Sequence, residues 1–114
     1  MKIAIPAQEQ VKGSELSPVF GRARYFFVFD QDNGKYEFVE NQATQRPGGA
    51  GVQAAQLLVD QGVQVLITPQ CGDKAQQVLK SANIALYRSL DDSLEGNIKA
   101  FLDRELSVLT GEQQ

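Results

Sequence analysis

The apolar positions change period part-way along the 114 residues. Up to about residue 41 they come in short runs. From Ala50 onward they recur every three or four positions, interrupted by brief all-apolar stretches. The first run, Lys2–Ile5, predicts a strand ended by Pro6, because proline carries no N–H for a central ladder. Ala7–Pro18 is polar, with Gly13, Ser14, Ser17 and Pro18, and predicts a loop. Tyr25–Asp30 is aromatic and β-branched without alternation, the pattern of a strand covered on both faces. Asn33-Gly34 marks a tight turn that tolerates positive φ. Tyr36–Asn41 returns as its partner strand, and Glu37 and Glu40 suit a sheet edge.

Beyond the polar loop Gln42–Pro47, Val52, Ala55, Leu58 and Val59 share one face of a helix over Ala50–Gln61, widened by Ala54 and Leu57 and stopped by Gly62. Val63–Ile67 is a nearly all-apolar strand. Asp73–Ala82 resumes the helical period with Ala75, Val78, Leu79 and Ala82, and Asn83–Tyr87 is the next strand. Ser89, followed by Asp91 and Asp92, predicts the start of a last helix. Its stripe of Leu94, Ile98, Phe101 and Leu102 carries it to near Glu105, ahead of a polar tail at Thr110–Gln114. The order β, β-hairpin, α, β, α, β, α requires right-handed crossovers between parallel strands beside an antiparallel hairpin. The expectation is a single α/β domain, with one mixed sheet of about five strands and helices on its faces.

Composition removes several function classes. A net charge of -3 and a pI of about 4.8 leave no basic footprint for nucleic acid. No apolar run approaches the ~20 residues that span a membrane. One cysteine forms no internal disulfide, which points to the reducing cytoplasm. The chain has no histidine, and so lacks the commonest neutral metal ligand and general base. Asp30, Asp32, Asp60, Asp73, Asp91 and Asp92 form no catalytic pair by spacing, and no nucleophile–base pair is in view. A non-enzymatic role is expected.

Three stretches carry candidate chemistry. Gly48–Gly51 runs into a helix, and exposes N–H groups and the positive end of a dipole. That makes either an anion site or a close packing contact. Gly49-x-Gly51-x-x-Ala54 loosely fits the dinucleotide fingerprint, but it lacks a strand directly ahead and an acid ending the next strand. Arg22 and Arg24, on one face of an extended stretch, either hold an anion or are two solvated surface arginines. Cys71 follows a central parallel strand and precedes Gly72 at a helix start. It is either a soft ligand with a depressed pKa or a small, half-buried residue.

These stretches, in combination, resemble the dinitrogenase iron–molybdenum cofactor biosynthesis family. They are Phe20-Gly21-Arg22-Ala23 before an aromatic strand ending in Asp30, Gly49-Ala50-Gly51-x-x-Ala54-Ala55-x-x-Leu58, and Gly62-Val63-x-Val65-Leu66-Ile67-Thr68-x-x-Cys71-Gly72. The family includes nitrogenase-cofactor carriers and the orange protein, which holds a molybdenum–copper sulfide cluster. The resemblance runs from Met1 to about Leu106. It implies a three-layer, ribonuclease-H-like α/β/α fold with a five-stranded mixed sheet, a single cofactor-binding domain over residues 1–106 and a polar tail over 107–114. It implies binding and delivery of an anionic molybdenum- or iron-sulfur cluster, or a molybdenum–copper one, with cofactor-assembly proteins or an ATPase as partners. The site it implies comprises Phe20, Gly21, Arg22, Arg24, Gly49, Ala50, Gly51, Gln70, Cys71 and Gly72, with Cys71 as metal ligand. Many relatives place a histidine directly before Phe-Gly-Arg and more in the loop before the Gly-rich helix. Here Val19 and Gln42–Pro47 stand there, so no histidine ligates a cluster. A metal-free regulatory or protein-interaction module of the same fold is the alternative, and an enzyme acting on a nucleotide or phosphate is a third reading.

Overall fold

The apolar runs become five strands: β1 (Lys2–Ala7), β2 (Tyr25–Asp30), β3 (Lys35–Glu40), β4 (Val65–Thr68) and β5 (Ala85–Arg88). The helical periods become α1 (Ala50–Asp60), α2 (Asp73–Ser81) and α3 (Leu94–Leu102), with 3₁₀ turns at Phe20–Arg22 and Gln42–Gln45. These come from a computed structural model that describes residues 1–45, 48–91 and 93–109. Arg46 and Pro47 of the expected polar loop, Asp92 of the expected helix start and the Thr110–Gln114 tail lie outside the described residues.

The sheet order is β3-β2-β1-β4-β5. β1 pairs antiparallel with β2 and parallel with β4, β2 pairs antiparallel with β3, and β4 pairs parallel with β5. Side chains alternate along each strand. Ala4, Phe26, Val28, Leu66 and Leu86 join Ala54, Leu58, Ala75 and Leu79 in one core. Ile3, Ile5, Phe27, Val65 and Ile67 join Leu94 and Ile98 in the other. α1 and α2 therefore cover one face and α3 the opposite one, which explains the unalternating apolar runs of β1, β2 and β4. The charged strand β3 is an edge, as Glu37 and Glu40 indicate.

Three local expectations are corrected. β1 does not stop at Pro6 but continues to Ala7, opposite Phe26 and Tyr25. The Pro6 carbonyl accepts from Ser17 N–H at 3.0 Å, so the polar groups of Pro6 face away from β2, and within β1 it is Ile3 and Ala4, not Pro6, that pair with β4. The missing N–H thus interrupts no ladder. The hairpin expected at Asn33-Gly34 does form, with residues 31–34 as its turn. Asp30 pairs with Lys35, Gly34 alone takes positive φ (73°), and the Asn33 Oδ1 accepts from Lys35 N–H at 2.8 Å.

The last helix starts at Leu94 instead of near Ser89. Ser93 caps it, its Oγ accepting from Gly96 N–H at 3.0 Å. Asn97 decides the matter. Fully buried, it accepts from Leu90 N–H at 2.7 Å and donates to the Leu90 and Ser93 carbonyls at 3.2 and 3.0 Å, which keeps the preceding loop out of the helix. The helix stops at Leu102 because Arg104 takes φ 62° and Glu105 N–H then bonds back to the Ala100 carbonyl at 2.8 Å. Finally, Ala82, expected to face inward, follows the end of α2 and is exposed. After α3 the chain returns along β5. Arg88 N–H donates to Ser107 O at 2.8 Å, Leu109 N–H donates to Leu86 O at 3.0 Å, and Leu109 is buried in the α1–α2 core.

Candidate functional site

Three loops meet at the rim where β1 and β4 end, the position at which open α/β sheets leave a crevice. Between them lies a cavity of about 470 Å³, lined by residues 19–22, 49–52 and 70–75. The Phe20–Arg22 turn sits directly on the start of α1. A Cβ built on Gly21 would lie 2.8 Å from Gly51 N and 2.9 Å from Gly51 Cα, so only glycine allows the two backbones this close. Gly49 takes φ 70° as the residue before α1, where a side chain would strain the backbone.

The electrostatics follow from the two helix starts. Both α1 and α2 start on a glycine, Gly49 and Gly72, which has no side chain to cap them. Their helical ladders begin with Gln53 N–H to Gly49 O at 3.0 Å and Gln76 N–H to Gly72 O at 2.9 Å. Residues 50–52 and 73–75, whose N–H groups precede those ladders, line the cavity. Two positive dipole ends thus border one cavity, joined by the cations Arg22 and Lys74 and opposed by Asp73. A larger hollow of about 590 Å³ lies among Gln8, Glu15, Pro69, Leu90, Asp91 and Ser93. Among the described residues its lining includes two carboxylates and no cation, which does not suit an anion.

Of the residues singled out in the sequence, Phe20, Gly21, Arg22, Gly49, Ala50, Gly51, Gln70, Cys71 and Gly72 all line the cavity. Arg24 does not. Arg22 belongs to the 3₁₀ turn, so the extended alternation that would align the two arginines never forms. Gln70 donates its side-chain amide to the Pro18 carbonyl at 3.1 Å, while its backbone carbonyl accepts from the buried Thr68 hydroxyl at 3.0 Å.

Cys71 contradicts the expected depressed pKa. Burial pushes its thiol from 9.0 up to about 11, because desolvation disfavours the charged thiolate. At neutral pH it is an S–H group, held in place through its carbonyl, which accepts from the buried Gln76 Nε2 at 2.7 Å. Among the described residues, no three Cys, Asp or Glu side chains gather as a metal set.

Sequence reasoning missed Lys74, Gln76 and Asn41. Lys74 sits one residue into the first turn of α2, and that position after a glycine cap was a usable signal. Gln76 reads as a solvent-facing helix residue. Asn41 Oδ1 accepts from Ala43 N–H at 3.1 Å, a side-chain turn that asparagine favours and that its place at a strand end could have suggested.

The sequence model of the dinitrogenase iron-molybdenum cofactor family matches residues 1–104. The chain belongs to that family. An uncharacterized protein of Methanocaldococcus jannaschii is 35% identical over 109 residues, covering 93% of this chain and 89% of the relative. Among solved structures, the apo form of the orange protein from Desulfovibrio gigas superposes with a TM-score of 0.93 at 32% identity, over 99% of this chain and 96% of that one. A NifB candidate from Thermotoga follows with a TM-score of 0.87 at 34% identity, over 99% and 97% of the two chains. The five-stranded mixed sheet with three helices is thus the family's fold, and this family member is a small cofactor-related protein.

Proposed function

We propose that this family member binds an anionic molybdenum- or iron-sulfur cluster in the cavity and carries it for cofactor assembly or storage. The observation that supports this most is the pair of helix N-termini, each started by a glycine, that border one cavity with Arg22 and Lys74. A preassembled polyanion suits these donors. Its terminal sulfides accept from backbone N–H groups and from the Arg22 guanidinium, which needs no complete set of protein ligands. Cys71 is the soft group on the wall, and it becomes a thiolate ligand only by giving up the proton that burial favours. In this reading the cytoplasm is the compartment, and cofactor-assembly proteins or an ATPase are the exchange partners.

The test is reconstitution of the full chain with tetrathiomolybdate and copper(I), or with iron and sulfide, under reducing conditions. Wild type is expected to develop a sulfur-to-metal charge-transfer band that survives desalting, and the Arg22→Ala/Cys71→Ala double variant is expected to lose it. Equal absence of colour in both rejects the carrier role. The second reading, a metal-free interaction module, is favoured by the protonated Cys71 and by the lack of a three-ligand set among the described residues. It expects partner binding to be unchanged by chelators and by Cys71→Ser.

A further inference from the structure

Asn41 follows β3, is 2% exposed and lies outside the cavity lining. Its Nδ2 donates to the carbonyl oxygens of Gly21 at 3.4 Å and Ala23 at 2.8 Å, the two residues on either side of Arg22. Its Oδ1 accepts from Ala43 N–H at 3.1 Å, and its own N–H donates to the Arg24 carbonyl at 3.0 Å. One buried side chain therefore ties the end of the hairpin to the turn that presents Arg22 and to the segment that leads toward α1.

The geometry makes this grip directional. The turn cannot move closer to α1, because Gly21 already lies against the Gly51 backbone with no room for even a methyl group. If the amide is lost, two carbonyls lose their donor and the turn is free to loosen only away from α1, which takes Arg22 off the cavity wall. Aspartate at this position would keep the acceptor for Ala43 but set a carboxylate against the Gly21 and Ala23 carbonyls.

We propose that Asn41 is the positioning residue of the cavity, holding the Phe20–Arg22 turn so that Arg22 meets a bound anion. The inference rests on the reading of the cavity as an anion site. It is tested by titrating the full chain with tetrathiomolybdate, followed by visible absorption, in wild type, Asn41→Ala, Arg22→Ala and the double variant. Thermal midpoints are measured alongside. Asn41→Ala and Arg22→Ala are each expected to weaken binding about tenfold. The double variant is expected to bind within about twofold of Arg22→Ala alone, because the two residues act as one unit. Ser93→Ala, which removes the cap of α3 and does not alter the cavity lining, is expected to lower the thermal midpoint and leave binding intact. Wild-type affinity in Asn41→Ala, or losses that multiply in the double variant, overturns the positioning role. Wild-type affinity in Arg22→Ala removes the anion site itself, and the role of Asn41 with it. Should Asn41→Ala not fold, Asn41→Asp takes its place, and failure of both to fold assigns Asn41 to the scaffold alone and overturns the proposal.

Discussion

Gly21 has no space for a side chain, and two measurable consequences belong to single residues at this rim. A methyl group on Gly21 would meet backbone atoms of α1 at 2.8 and 2.9 Å, and backbone cannot swing aside as a flexible side chain can. Gly21→Ala is expected to destabilise the fold by about 1–3 kcal/mol, read as a lower denaturant midpoint at unchanged slope. Cys71 supplies the second. Its folded pKa, about 11, lies above its ordinary value of 9.0. The unfolded chain therefore loses this proton first as pH rises, so the stabilising contribution is complete below about pH 9 and fades through about pH 11. Between pH 8 and 11 the thermal midpoint of wild type should fall further than that of Cys71→Ser. Alkylation by iodoacetamide should also quicken with each pH unit up to about 11, tracking the thiolate fraction. The sequence carried Gly21 and Cys71 as members of motifs, but neither the close approach to Gly51 nor the desolvation of the sulfur is a property of neighbours in the chain.

At the scale of elements, the two helix starts invite a substitution that separates stability from binding. Gly72 has φ -65° and ψ 158°, the extended conformation usual for a capping residue, and a Cβ there meets nothing within 4 Å. Gly72→Asp is expected to stabilise the protein by a few tenths of a kcal/mol by accepting from the first turn of α2. It should also weaken tetrathiomolybdate binding about tenfold, because its carboxylate competes for the same N–H groups. Unchanged affinity would show that the start of α2 takes no part. Periodicity was enough to read α1 and α2 to within a residue or so at their ends, because each buries one stripe against the sheet. It failed at α3, where Ser89 and Ser93 both offer a cap ahead of acidic residues. The choice is made by Asn97, which bonds back to Leu90 and Ser93 across the very loop it keeps unwound. Capping preference is local, and here a buried amide later in the chain overrides it.

For the whole molecule, the layering was legible and the order of strands was not. Unalternating apolar runs announce two covered faces, yet nothing in Lys2–Ala7 announces that it occupies the middle of the sheet, and Pro6 argues the other way. Leu109 was equally hidden, in a short stretch after the last helix with no helical or strand period of its own, yet it closes the α1–α2 core beside Leu86. Leu109→Ala is expected to lower stability by about 2–5 kcal/mol, measured by chemical denaturation, with the cavity residues untouched. The central place of β1 also bears on how the chain is made. Its edge toward β2 can be satisfied as soon as the hairpin leaves the ribosome. Its other edge waits for β4, and the stretch from Glu40 to Val65 takes about one to five seconds to synthesise. During that interval a nascent three-stranded meander carries an open, apolar border, and chaperone capture or misassembly during translation would act there first.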